Sequence, residues 1–238
     1  LQRRALFLNR RMDLITDSLV RAARGGLVAS IIKAYRTPDY FTYLKTPGAY
    51  PYPNAYEFLR DHYFDNVALN DSRLLYTEVI YRSLTNYMSE FGDPPSTENY
   101  IRAADTILKR FAPWPAMYEY ALEVLVNTFE QSNWENVFTH LVDQYVQPQA
   151  CEIAGSGAYL ARAGAIRNLA IGKPAPVLEL QDINGNPFSL YELKSRATLL
   201  LFWSSDCPHC HEMMPALRAL YEQYHPLGLS LVAVSIDT

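Results

Sequence analysis

Cysteine is scarce in this chain of 238 residues, which contains three. Small secreted domains that rely on disulfides are far richer in cysteine, so a disulfide scaffold is excluded. Folding must then depend on burial of apolar side chains. The hydrophobic content of 49% is ordinary for a globular protein, and the length allows one or two well-packed domains.

Long apolar runs and an excess of basic residues are also lacking. The longest apolar run, Leu199 to Trp203, has five residues, whereas a membrane span needs about 18. The net charge of −4 gives no reason to expect nucleic acid as a partner. The first 24 residues do contain six arginines, which fit either contact with anionic lipid or a partner, or the solvated face of a helix.

Up to about residue 169, apolar residues recur at helical spacing and no alternating strand pattern occurs. Three stripes show this spacing: Leu8, Met12, Ile15 and Leu19; Ile101, Ala104, Ile107, Leu108 and Phe111; Tyr118, Ala121, Leu122, Leu125 and Phe129. Proline and glycine separate the segments, as at Pro113-Trp-Pro115, and Ser96 is a candidate N-cap. We predict an all-α helical bundle over residues 1–169.

The pattern changes in residues 170–238. Pro174 and Pro176 disfavour helix, and Asn184-Gly185 between short apolar runs predicts a β-hairpin. Two apolar strands, at about 198–203 and 229–236, flank a helix predicted over about 207–224. This order predicts a βαβ unit with parallel strands that are covered on both faces. The fold class is therefore α+β with two domains.

Cys207 and Cys210 stand where the first of these strands gives way to the helix, with Pro208 and His209 between them. A helix N-terminus offers unpaired N–H groups and a partial positive charge, which stabilise a thiolate. The second thiol can close a small disulfide ring and release a partner. Pro208 suits the first helical turn. The pair is predicted to be a redox-active dithiol.

Two other chemistries use the same cysteine spacing. Cys207-Pro-His-Cys210-His211 matches the Cys-x-x-Cys-His pattern of covalent haem attachment, although that motif does not normally follow a buried strand. Half of a zinc site is the other reading, but zinc normally needs two further ligands at short spacing, and no second Cys-x-x-Cys occurs. We therefore expect no cofactor and no metal; a Soret band would overturn this for haem.

Further residues around the motif form a recognisable set: Ile171-Gly-Lys-Pro-Ala-Pro176, Asn184-Gly-Asn-Pro-Phe-Ser-Leu190, Phe202-Trp203, Glu212 and Pro215. Together with the motif, this set resembles the thioredoxin-fold domain of TlpA/ResA-like thiol–disulfide oxidoreductases of the cell envelope. Pro215 coincides with the proline that kinks the active-site helix of thioredoxins. The resemblance covers the first half of that domain, and we accordingly expect an incomplete thioredoxin-like fold over residues 170–238.

The resemblance implies an enzyme that exchanges disulfides with protein thiols, Cys207 attacking and Cys210 resolving. Supporting or tuning roles would fall to Trp203, Pro208, His209, Glu212 and Pro215. It further implies an upstream redox partner and a location in the periplasm or envelope of a Gram-negative bacterium. The Pro-His dipeptide resembles that of strongly oxidising periplasmic proteins, while the surrounding frame implies a reductase, so the direction of exchange stays open.

Two positions depart from the family pattern. Asp206 replaces the usual tryptophan and puts a negative charge beside Cys207, which opposes thiolate formation. Leu201 replaces the buried acid of thioredoxin, so acid–base help would come from Glu212, His209, Asp206 or water. The family also continues beyond Thr238 with a cis-proline loop and further strands. Because Leu1 is not Met either, we expect a trimmed fragment.

Residues from about Tyr56 to Tyr145 are similar to a helical domain of unknown function that precedes such thioredoxin domains in some Gram-negative envelope proteins. The segments that carry this are Asp71–Thr77, Tyr118–Leu125 and Val137–Val142. The alternative function is a non-catalytic binding protein, with the tyrosines between Tyr35 and Tyr63 lining a groove; packed loops are the plainer interpretation. Cys151 is expected to be a free, partly buried residue or to have a resolving or intermolecular role.

Overall fold

The computed structural model describes residues 11, 14–151, 153 and 155–237. The chain divides into two compact units, one up to Ala170 and the other from Ile171 onward. Leu8 and Met12 of the first predicted stripe lie outside the described residues. Within the described part of the chain, no helix has both the length and the apolar character needed to cross a bilayer.

Helices build the first unit. Residues 14–22 are helical, and they are followed by α1 (Leu27–Ala34), α2 (Tyr40–Tyr43), α3 (Ala55–His62), α4 (Val79–Phe91), α5 (Thr97–Phe111), α6 (Pro115–Glu130), α7 (Glu135–Leu141) and α8 (Ser156–Asn168). A π-helical turn at Val142–Val146 extends α7. No strand occurs among the described residues of this unit, in agreement with the helical spacing of its sequence.

Local sequence determines where these helices begin. The Ser96 hydroxyl accepts a hydrogen bond from the Asn99 N–H at 3.1 Å, which satisfies one of the free donors at the start of α5. Helix α6 begins with Pro115 at its first position, where a missing N–H costs nothing. Both boundaries agree with the prediction.

The second and third predicted stripes contribute side chains to the core of the first unit, which also contains residues of the other helices. In α5, Ile107 and Phe111 are fully buried, and in α6 Leu125 is 2% exposed. The ring of Tyr87 is fully buried among them, while its hydroxyl donates to the Arg60 carbonyl at 3.0 Å. Burial of each such side chain contributes about 1.5–3 kcal/mol to folding, so these stripes stabilise the bundle.

The first stripe behaves differently from the other two. Ile15 and Leu19 keep 48% and 49% of their surface exposed, so this helix does not bury its described apolar residues. An ion pair at 2.8 Å joins Asp17, on another face of the same helix, to Arg36. The described part of the first stripe is therefore helical, as its spacing predicts, but it lies outside the buried core.

The tyrosine-rich segment before α3 packs largely onto that helix. The ring centroids of Tyr43 and Tyr52 lie 4.8 and 5.6 Å from that of Phe58. The Tyr52 hydroxyl donates to Asp61 at 3.2 Å. Burial of the hydroxyl and the nearby negative charge of Asp61 raise the pKa of Tyr52 to about 12. For these two residues the structure agrees with packed loops rather than an open groove.

The second unit contains a hairpin and a βαβ unit. Its elements are β1 (Leu180–Gln181), β2 (Pro187–Phe188), β3 (Ala197–Trp203), α9 (Pro208–Tyr224) and β4 (Leu229–Ser235). Strands β1 and β2 pair antiparallel around a turn in which Gly185 adopts a positive φ of 82°, as the Asn-Gly pair predicts. Strands β3 and β4 pair in parallel, with Leu201 opposite Ala233.

Coverage of the β3–β4 sheet differs from the prediction. Leu201, Leu231 and Ala233 lie beside α9, where they line a groove of about 260 Å³ together with Met214, Leu217, Arg218 and Tyr221. Phe202 follows Leu201 and therefore points to the opposite face, where it is 53% exposed. Between residues 171 and 237 no side chain is fully buried. The expected cover on both faces is wrong for the described residues, because α9 packs on one face only.

Candidate active site

Three residues connect the end of β3 to Cys207. Cys207 is the N-cap of α9, with extended backbone angles, and Pro208 occupies the first helical position. The strand therefore delivers Cys207 to the N-terminus of a helix of 17 residues. This is the strand–helix setting that the sequence predicts for the motif.

Cys207 and Cys210 form a disulfide, with their Cα atoms 5.3 Å apart, within the usual range for disulfides. The sulfur of Cys207 also accepts a hydrogen bond from the backbone N–H of Cys210 at 3.2 Å. Both residues are partly exposed. The helix N-terminus thus directs a donor at the sulfur that comes first in the chain.

His209 and Glu212 lie on the solvent side of the first turn of α9. Their imidazole Nδ1 and carboxylate Oε2 are 3.7 Å apart, and their side chains are 94% and 78% exposed. Solvent screens such a pair, so it contributes little to stability. The structure brings the two predicted tuning residues next to each other.

Trp203 lies in β3, before the motif, and Pro215 lies in α9, after it. Trp203 ends β3, is partly buried, and its carbonyl accepts the N–H of Ile236 at 2.9 Å. Pro215 lies inside α9, where its missing N–H interrupts the helical ladder. Leu201, at the position where thioredoxin carries an acid, is a partly buried strand residue.

Sequence reasoning missed a carboxylate beside the motif. Asp237, two residues after β4, accepts hydrogen bonds from the Ser204 hydroxyl at 2.6 Å, the Ser205 N–H at 2.9 Å and the Ser235 hydroxyl at 2.7 Å. The serine hydroxyls and the Ser205 N–H lower the pKa of Asp237 to about 2. The signal for this site is in the sequence, because parallel strands end at the same edge of a sheet.

His211 also has a partner that the sequence did not suggest. Its Nε2 lies 2.7 Å from the carbonyl oxygen of Ser205, and the nitrogen must donate because a carbonyl only accepts. His211 is an exposed residue of α9 that also makes this contact with the backbone. One helical turn after Cys207, the imidazole reaches back to the loop that precedes the motif.

Two further sequence predictions concern single residues. Asp206 is exposed beside Cys207, and its N–H donates to the Ser204 hydroxyl at 3.3 Å. Cys151 is free and exposed, so the expectation of partial burial is wrong; it lies in a surface turn after a short 3-10 helix. In the described part of the chain, no three His, Cys, Asp or Glu side chains are grouped to hold a metal ion.

Residues 171–238 match the AhpC/TSA family. Two curated relatives are both named thiol-disulfide oxidoreductase ResA. The protein from Bacillus anthracis is 34% identical over 67 residues, 28% of this chain and 39% of its own length. That from Halalkalibacterium halodurans is 36% identical over 66 residues, 28% of this chain and 38% of its own. The chain thus spans about 39% of the length of the curated relatives it matches.

A crystal structure of a thioredoxin-like protein from Bacteroides caccae is similar to this chain with a TM-score of 0.55 and 18% sequence identity. The alignment covers 86% of this chain and 74% of the other, so it includes residues of the helical unit; at this identity it shows fold alone. The resemblance of residues 56–145 to a helical domain of unknown function stays a prediction. Residues 171–238 are an AhpC/TSA thioredoxin-like domain, homologous to the ResA thiol–disulfide oxidoreductases.

Proposed function

We propose that this protein exchanges disulfides with protein thiols through Cys207-Pro-His-Cys210, with Cys207 as the attacking and Cys210 as the resolving sulfur. The observation that carries the proposal is the disulfide at the N-terminus of α9. Cys207 stands before the first turn, and its sulfur accepts the N–H of Cys210. A donor and a helix N-terminus directed at one sulfur favour that sulfur as the thiolate.

The reaction takes two steps from the dithiol form. The Cys207 thiolate attacks one sulfur of a partner disulfide, so that a mixed disulfide forms and the other partner sulfur leaves as a thiolate. Cys210 then loses its proton and attacks the Cys207 sulfur, which closes the Cys207–Cys210 disulfide and releases the second partner thiolate. Two electrons and two protons pass from the protein to its partner, and the reverse sequence oxidises a partner dithiol.

The other predicted site residues affect this chemistry in different directions. Pro208 starts α9 without an unsatisfied N–H, and Trp203 ends the strand beside the loop that precedes the motif. His209, as the imidazolium, favours the thiolate, while the Asp206 carboxylate opposes it. Glu212 reduces the effect of His209 by pairing with it. Pro215 breaks the backbone ladder two turns into the helix.

The partners belong to the same proposal. The relatives are named thiol-disulfide oxidoreductases, which supports thiols and disulfides as substrates, here those of proteins. An upstream redox partner would restore the starting state of Cys207 and Cys210. The proposed location is the periplasm or cell envelope of a Gram-negative bacterium. Which way electrons flow depends on the potential of the pair relative to that of its partners.

Trapping the mixed disulfide tests the function. The Cys210→Ser variant of the full-length protein, mixed with a model protein disulfide, should accumulate a covalent adduct on Cys207, because the resolving thiol is gone. Cys207→Ser should form no adduct and lose turnover of the model disulfide, while Cys151→Ser should retain it. Equal turnover by wild type and Cys207→Ser would reject the enzyme and favour a non-catalytic binding protein. An adduct on Cys210 in the Cys207→Ser variant, with none in Cys210→Ser, would reverse the two roles.

A further inference from the structure

The peptide groups of Ser205 are held from both sides. On one side, the N–H donates to Asp237 at 2.9 Å. On the other, the carbonyl accepts from His211 Nε2 at 2.7 Å. Asp237 follows β4 and His211 belongs to α9, so residues from two different elements fix one loop residue. Ser205 lies two positions before Cys207.

The carboxylate of Asp237 fixes more of this loop than one peptide. Its Oδ1 also accepts from the Ser204 hydroxyl at 2.6 Å, and its Oδ2 accepts from Ser235 at 2.7 Å. The Ser204 carbonyl in turn accepts the N–H of Cys207 at 3.2 Å. A continuous series of hydrogen bonds therefore runs from the end of β4 to the backbone of the first cysteine.

We propose that Asp237 and His211 are positioning residues of the redox site, which hold the Ser204-Ser205 turn in the geometry that keeps Cys207 within bonding distance of Cys210. The inference rests on the proposed function only in taking these two cysteines as the redox pair. Both residues act through Ser205, and neither touches a sulfur in the contacts described above.

The contacts of Asp237 and His211 are present in the disulfide form, in which Cys207 and Cys210 are joined. This determines the direction of the expected effect on the redox equilibrium. Closing a disulfide ring requires the two sulfurs to be brought together, and a fixed loop reduces the conformational entropy lost on closure. Removing the contacts should therefore disfavour the disulfide relative to the dithiol.

The loss of a negative charge is a competing explanation for such a shift in the redox equilibrium, because a carboxylate near a thiol raises the pKa of that thiol. Two substitutions of Asp237 separate position from charge. Asp237→Asn removes the charge but keeps an oxygen that can accept from the Ser205 N–H, and the serine hydroxyls can reverse their roles toward the amide. Asp237→Ala removes both the charge and the acceptor.

The test measures the equilibrium constant between the dithiol and disulfide forms of the full chain in glutathione redox buffers. Free thiols are alkylated, and mass spectrometry then gives the fraction of each form. Asp237→Ala should shift this constant toward the dithiol by about tenfold, which corresponds to about 30 mV. Asp237→Asn should stay within about threefold of wild type. His211→Leu should shift in the same direction as Asp237→Ala, whereas His211→Gln keeps a donor for the Ser205 carbonyl and should restore the wild-type value.

Asp182→Ala is the matched control, since Asp182 also accepts backbone N–H groups in a turn of the same unit. The equilibrium constant of this variant should not change.

A shift below twofold in Asp237→Ala, or an equal shift in Asp237→Asn, would overturn the inference. If Asp237→Ala does not fold, Ser204→Ala, which removes one donor to the same carboxylate, should give a smaller shift toward the dithiol, and no shift would overturn it. The constant is measurable without substrate turnover, so it is independent of failure of the proposed function.

Discussion

The backbone nitrogen of Cys210 lies 3.2 Å from the sulfur of Cys207. One amide at the start of α9 therefore faces the sulfur of the residue that caps the helix. A thiolate at that position would accept a charge-assisted hydrogen bond, which is roughly twice as strong as a neutral one. The two cysteines are thus chemically unequal although only two residues separate them.

This inequality predicts a difference in reactivity in the reduced protein. At pH 6, Cys207 should react with iodoacetamide at least about tenfold faster than Cys210, because the thiolate is the nucleophile and the helix N-terminus stabilises it at Cys207. Mass mapping of the alkylated peptides measures both rates in one sample. The exposed Cys151 serves as an internal reference thiol; equal rates at Cys207 and Cys151 would contradict an activated nucleophile.

Replacing the acid beside the nucleophile should raise its reactivity. Asp206→Asn removes a negative charge next to Cys207, so the thiolate fraction increases. We expect the alkylation rate of Cys207 at pH 6 to rise by about two- to threefold, the exposed position limiting the effect. Asp182→Asn is the control for a lost charge elsewhere in the unit. A rate that stays constant or falls would show that Asp206 does not act on the sulfur electrostatically.

The lowered pKa of Asp237 predicts how the stability of the fold depends on acid pH. Its pKa of about 2 lies below the ordinary value of 3.8, so the ionised form is favoured in the folded protein. The stabilisation is fully present above about pH 4 and is lost as the pH falls toward about 2. The difference in melting temperature between wild type and Asp237→Asn should be constant from pH 7 to about 4 and then shrink. A difference that changes near neutral pH would contradict this assignment.

The helical unit should lose stability mainly through its buried stripes. Leu125→Ala removes a side chain that is 2% exposed and should lower the free energy of unfolding by about 2–5 kcal/mol. Ser96→Ala removes the N-cap acceptor of α5 and should cost about 1 kcal/mol. Ile15→Ala, at a half-exposed position, should stay within about 0.5 kcal/mol. Urea unfolding followed by helical circular dichroism ranks the three, and a large loss for Ile15→Ala would contradict its exposure.

The sequence predicted the parts of this structure that depend on neighbours in the chain. Ser96 at the start of α5, Pro115 at the start of α6 and Gly185 in the hairpin turn each follow from local backbone chemistry. Cys207 at the N-terminus of α9 follows in the same way, since a strand pattern gives way to a helix pattern there. These features need no knowledge of distant residues.

The missed features depend on the arrangement of the chain in space and not on local sequence patterns. The bond from Ser205 to Asp237 spans 32 positions and exists only because β3 and β4 pair in parallel. The His211 contact depends on which way a loop carbonyl points, for which the sequence carries no pattern. The exposure of Phe202 was missed for a similar reason, because an apolar strand indicates that faces can be covered without indicating what covers them.

The carboxylate that holds the Cys207 loop comes 30 positions after that cysteine in the chain. During synthesis the two thiols and α9 emerge first, and Asp237 follows only after β4. A nascent chain that ends within α9 has the motif but not the contact that fixes it. During biosynthesis, the two thiols can therefore reach their mature geometry only after the parallel strand pair is complete.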